Sequence, residues 1–159
     1  MNQHSLSKWI KLVIIGLALC GAALWALIIP EAGRTIIADA PEFSGWYWPW
    51  LIFAWATAIP CYAVLVIGWR IAVNIGADRS FSLENARLLA LIAKLAAADS
   101  ALVFAVNLIF WFLGMNHPGV VLLMLLVVFV GVAISVAAAG LSHLVRKAAE
   151  LQEQSDLTV

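Results

Sequence analysis

The sequence predicts an all-α integral membrane protein, a four-helix bundle in the bilayer, and three observations carry that prediction. The chain is 65% hydrophobic and only 11% charged, with a mean hydropathy of +1.02, too little polar surface to coat a water-soluble globule. It holds four long apolar runs, charge-free except for Asp99, each near the roughly 20 helical residues that cross a bilayer. Lys and Arg collect in the segments on one side of those runs. Strands are excluded as spanning elements because the runs lack apolar/polar alternation and an open sheet in lipid leaves backbone groups unpaired.

The first run is Leu12 to Ile29, expected to end at Pro30. Lys8 and Lys11 before it and Ala38-Asp39-Ala40 after it resemble a signal peptide. The run exceeds a signal core of about 7–15 residues, the charged stretch Glu31 to Asp39 intervenes and Pro41 would follow the cut, so a retained helix is expected. Ala18, Ala22 and Ala26 give it a small-residue stripe. The outer segment Pro30 to Pro49 ends in an aromatic cluster around Phe43, Trp46 and Trp48, able to line a site for an apolar signal and more simply explained as an interfacial anchor. The second run, Trp50 to Trp69, contains Pro60, which frees the carbonyl of Ala56 and kinks the helix, with neighbours such as Thr57 stabilising it.

Between the second and third runs, Ser82 followed by Leu83, Glu84 and Asn85 reads as an N-cap with an acidic first turn, and Phe81 as a residue able to pack on Ala86. The third helix therefore begins before the bilayer and carries Arg87 and Lys94 on one face, their heads directed to the headgroups. Its apolar run is Leu95 to Leu113. Asp99 within it is a functional candidate by default, since an ionisable group in a span is expensive; a structural pairing with Arg70 or Lys94 and proton carriage weigh equally. Asn107 reads as an interhelical hydrogen-bond partner.

The fourth run, Gly119 to Gly140, carries Gly131, Ser135 and Ala139 at intervals of four. Beyond it Leu141, Leu144, Val145, Ala148 and Leu151 recur at helical spacing, so residues 141–159 are expected to form a cytoplasmic amphipathic tail with an acidic end at Glu150, Glu153 and Asp156. The whole chain is read as a single membrane domain.

Lys8, Lys11, Arg70, Arg79, Arg87, Lys94, Arg146 and Lys147 face one side and Arg34 alone the other, which puts both termini in the cytoplasm of a multi-pass inner (plasma) membrane protein. Trp9 and Trp69 at the inner boundary and Trp25, Trp46, Trp48, Trp50 and Trp111 near the outer one agree.

The inventory offers no enzyme. His4, His117 and His143 share no metal-ligand spacing, no Ser, Cys or Thr has a base beside it, and the glycines form no phosphate loop. Cys20 and Cys61 lack redox or metal spacing and read as buried small hydrophobes. No cofactor or metal is expected, and the formal net charge of zero gives no basic face for nucleic acid. The lipid bilayer is the partner that composition requires.

Asp78-Arg79-Ser80-Phe81-Ser82-Leu83-Glu84-Asn85-Ala86 and the ending Ala149 to Val159 resemble the signature stretches of the bacterial domain-of-unknown-function 2975 family. The resemblance covers nearly the whole chain. It implies a small four-span inner-membrane protein without established enzymatic activity, encoded in many cases beside a Cro-like helix-turn-helix regulator. Two function classes follow. One is a regulatory membrane protein that binds or restrains a cytoplasmic partner, such as that small transcription regulator, through Phe81, Glu84 and Asn85 in the inner loop and Leu151, Glu153, Asp156 and Leu157 in the tail. The other is a small-molecule or proton-coupled carrier using Asp99.

Overall fold

A computed structural model describes residues 2–156, and these are helical nearly throughout, with no strand among them. The helices are α1 (Gln3–Ala23), α2 (Ile29–Asp39), α3 (Tyr47–Gly76), α4 (Leu83–Phe112) and α5 (Pro118–Asp156). A π-turn, Leu24–Ile28, joins α1 to α2, and a 3₁₀ turn, Pro41–Trp46, leads into α3. Four continuous helical segments are long and apolar enough to cross a membrane: Gln3–Asp39, Pro41–Gly76, Leu83–Phe112 and Pro118–Ser155. Even the 30 residues of α4 extend about 45 Å, more than the roughly 30 Å of hydrocarbon.

The first helix does not stop at Pro30, and the reason is local. Pro30 falls in the first turn of α2, where a missing N–H costs little. Ahead of it the ladder slips by one residue, Ile29 N–H reaching the Leu24 carbonyl five residues back. The same slip would set Pro30, which has no N–H, against the Trp25 carbonyl. Trp55 on α3 supplies the donor instead: its Nε1–H bonds the Trp25 carbonyl at 2.9 Å, and the Trp25 indole returns a bond to the Ala54 carbonyl at 2.8 Å.

Backbones pack in chain order, α1 on α3, α3 on α4 and α4 on α5, with no close approach of α1 to α4 or α5 among the described residues. Along the antiparallel α4/α5 seam, Ser142 Oγ donates to the Ala86 carbonyl at 2.7 Å and Ser135 Oγ to the Ala93 carbonyl at 2.8 Å. Gly131 lies against Ser100, and Asn107 Nδ2 reaches the Val121 carbonyl at 3.4 Å. The α4 members of the seam, Ala86, Ala93, Ser100 and Asn107, recur every seven residues, the repeat of a left-handed crossing. This corrects the stripe of fours: after Gly131 and Ser135 the seam passes to buried Ala138 and Ser142, while Ala139 is exposed.

The α1/α3 seam shows the same drift. Ser7, Ile14 and Gly21 face α3, with Ser7 Oγ donating to the Ala72 carbonyl at 2.6 Å, Ile14 against Gly68, and Gly21 beside the Tyr62 hydroxyl. Tyr62 donates to the Ala18 carbonyl at 2.9 Å, but Ala22 and Ala26 are exposed. Cys20 is exposed as well, so it is not the buried small hydrophobe expected; Cys61 is half-buried. The buried set is mostly small and polar residues, and large aliphatic and aromatic side chains such as Leu19, Ile59 and Phe129 face outward. That inversion suits a lipid solvent, in which burying leucine gains nothing and close backbone approach decides association.

Candidate functional site

The start of α1, the end of α5 and the α3/α4 loop meet at one end of the bundle. The C-terminus of α3 closes in a Schellman turn: Arg79 N–H bonds the Asn74 carbonyl at 2.9 Å and Asp78 N–H the Ile75 carbonyl at 3.1 Å, with Asp78 left-handed at φ 60°. Asp tolerates that conformation better than most residues. Four residues on, Ser82 caps α4 through its Oγ, which accepts from Asn85 N–H at 3.2 Å.

Asn85 locks the two helix ends together. Its Oδ1 accepts from Asn74 Nδ2 at 2.9 Å, and its Nδ2 donates to the carbonyls of Arg79 at 3.0 Å and Ser80 at 3.1 Å. Arg79 in turn donates to Asn74 Oδ1 at 3.0 Å. With 1% of its surface exposed, Asn85 positions the loop from inside and is not itself offered to a partner. Sequence spacing could not show this, because the acceptors and the donor that claim the amide come from the turn and from α3.

The loop so held borders a concavity of about 640 Å³ between residues 78–83, Gln3 of α1, and Ala149, Gln152 and Glu153 of α5. Gln3 is drawn in by Ser80, whose hydroxyl donates to its Oε1 at 2.6 Å. Phe81 stands on the rim, 58% exposed. A narrower hollow of about 410 Å³ shares Gln3, Ser80 and Phe81 and runs between the helices to Leu89 and Val145. Glu84 is exposed near Arg79, 4.0 Å away. Thus Phe81 and Glu153 come to one concavity, with Glu84 beside the loop that borders it, while Leu151 is exposed on α5 outside it. Asp156 is the last residue of α5, and Leu157 lies outside the described residues. Gln3 and Gln152 carry no sequence signal of this role, and Arg79 carries only its place in the Asp78 to Ala86 stretch.

Inside the spans, Asp99 meets neither Arg70 nor Lys94. Ion pairs among the described residues are Arg34–Glu31 and Arg79–Glu84. Asp99 instead faces α3, accepting from Cys61 Sγ at 3.9 Å through Oδ2, while Oδ1 is buried with no hydrogen-bond partner among the described residues. Asn107 holds the other end of the α4/α5 seam, its Oδ1 accepting from Asn116 Nδ2 at 2.8 Å. No group of three or more His, Cys, Asp or Glu able to hold a metal ion occurs among the described residues.

A family model described as a protein of unknown function, DUF2975, matches residues 33–159. The uncharacterized membrane protein YoaS of Bacillus subtilis (strain 168) is 27% identical over 152 residues, 94% of each chain. No solved structure matches.

Proposed function

Starting from the premise that the chain belongs to the DUF2975 family of membrane proteins of unknown function, we propose that it is a regulatory protein of the bacterial plasma membrane that binds or restrains a small cytoplasmic protein. The observation that carries this reading is the concavity that joins the α3/α4 loop to the end of α5. Its loop wall is held from behind by Asn85, and its lining offers an aromatic side chain, Phe81, beside the charged groups Asp78, Arg79 and Glu153, the composition of a modest protein interface.

The cytoplasmic placement of this end is part of the proposal. It rests on charge: Lys8, Lys11, Arg70, Arg79, Arg87, Lys94, Arg146 and Lys147 belong to it, against Arg34 at the other. The partner that the resemblance implies is a helix-turn-helix regulator of the Cro type, held at the membrane and so kept from its operators.

Deleting Glu153 to Val159 takes Glu153 from the wall of the concavity, leaving Ala149 and Gln152, and removes the last acidic residues of α5 but nothing of the apolar run Gly119 to Gly140. The expected result is unchanged membrane abundance, loss of the partner on co-purification, and a change in the genes that partner controls. Retention of both partner and expression pattern by the truncated protein would sink the proposal.

A further inference from the structure

A separate concavity, of about 300 Å³, opens between the start of α1 and the end of α3. His4, Ser7, Lys8 and Lys11 line it from α1, and the last turn of α3, around Gly76, lines it from the other side. No Asp or Glu belongs to this lining, and Asp78, the nearest in sequence, borders the loop concavity instead. Lys8 and Lys11 have no carboxylate partner among the described residues, whose ion pairs are Arg34–Glu31 and Arg79–Glu84. His4 carries either no charge or a positive one, so the sign of the pocket is set by the lysines.

The end of a helix would ordinarily repel an anion through its free carbonyls. Here they are met. The carbonyls of Val73, Asn74 and Ile75 accept from the N–H groups of Ala77, Arg79 and Asp78, that of Ala72 accepts from Ser7 Oγ, and that of Gly76 accepts from His4 Nδ1 at 3.1 Å. What faces the space is then the two ammonium groups, and Lys11 Nζ stands 5.5 Å from the centre of the Trp69 ring.

The depth of the pocket says what kind of anion can reach it. The apolar run starts at Leu12, directly after Lys11, and Trp9 and Trp69 lie at the same level, so the pocket opens among lipid headgroups. Ile15 and Leu19 follow Lys8 and Lys11 along one face of α1, Val66 and Ile59 follow Val73 along one face of α3, and all four are exposed. Apolar surface thus continues from the pocket into the span on both helices. A water needs about 10–15 Å³, so the space takes a phosphate with part of its glycerol.

We propose that this pocket holds the phosphate of an anionic phospholipid, paired with Lys8 and Lys11, with the acyl chains lying along α1 and α3. The site shares no residue with the concavity at the α3/α4 loop except by neighbourhood and does not depend on the last residues of α5, so the two readings fail independently.

The test is native mass spectrometry of the purified full-length protein titrated with phosphatidylglycerol and with phosphatidylcholine of the same acyl chains. The first is expected to bind at least about tenfold more tightly. Lys8→Gln with Lys11→Gln should abolish that preference, whereas Lys8→Arg with Lys11→Arg, which retains both charges, should keep it. Arg146→Gln with Lys147→Gln removes the same charge from α5 and should also leave the preference intact. Equal losses from the two glutamine pairs would mean diffuse attraction to the surface and overturn the proposal. Displacement of the lipid by millimolar inorganic phosphate would assign the pocket to a dissolved anion and overturn it as well.

Discussion

The two outer helices are fastened to their neighbours by the same kind of bond made with different side chains. α5 is joined to α4 by seryl hydroxyls, Ser135 and Ser142, reaching carbonyls of the facing helix, and α1 to α3 mainly by Trp25, Trp55 and Tyr62 doing likewise. A hydroxyl on one carbon reaches only if the backbones nearly touch, so α4 presents Ala86, Ala93 and Ser100 at every seventh position, facing Ser142, Ser135 and Gly131 of α5. An indole spans a wider gap and tolerates larger neighbours. One pair is therefore sensitive to added volume and the other to a lost donor.

The largest effect is expected at Gly131. A Cβ there would run into Ser100 Oγ, which itself donates to the Ala96 carbonyl at 2.7 Å. Gly131→Leu should cost about 3 kcal/mol or more, measured by unfolding in detergent. Gly131→Ala should be milder and be restored by Ser100→Ala, since the obstacle is one hydroxyl. Failure of that rescue would show that the seam is not limited by volume at this point.

At the other seam, Trp55→Phe keeps an aromatic ring, smaller by the five-membered part of the indole, and removes the donor to the Trp25 carbonyl. A loss of about 1 kcal/mol is expected, the scale of a hydrogen bond within a membrane protein. The control is Pro30→Ala, which returns an N–H to the position opposite that carbonyl. In the Pro30→Ala background Trp55→Phe should cost measurably less, and additive costs in this double-mutant cycle would refute the account of the π-turn.

The smallest effect is predicted between the two seams. Because no cation pairs with Asp99 among the described residues, Asp99→Asn should change stability in detergent by less than about 1 kcal/mol. A buried ion pair broken at one partner would cost about 3–5 kcal/mol, so a large drop in melting temperature would place a cation there after all.

What was legible in the sequence was what a single helix decides for itself. Long apolar runs, the Ser82 cap and the continuation of α5 to Asp156 depend on neighbours three or four residues away. What was not legible depends on other helices. Spacing by four, the rule for an isolated small-residue stripe, points to Ala139, whereas a partner crossing left-handedly selects fours and threes in turn and so meets Ala138. Pro30 reads as a terminator until Trp55, 25 positions later, is known to answer the carbonyl it orphans. Asn85 looks exposed from its place in the first turn, and only the chain reversal at Asp78 buries it. Asn116 lies in no periodic pattern, so nothing in the sequence marked its pairing with Asn107.

The π-turn also bears on how this chain tolerates changes of length. A π-turn holds one residue more than the α-helix around it needs, and the helices on its two sides keep the faces that an uninterrupted helix would give them. Ser7, Ile14 and Gly21 before it and Gly33, which abuts Tyr47, after it all face α3. Loss of one residue within Leu24–Ile28 would tighten that turn to an ordinary one and leave both faces aligned. Loss of one residue between Ser7 and Gly21 would swing part of the seam by about 100°. The first helix thus carries a spare position, a point where its length can drift over generations while its grip on the bundle is preserved.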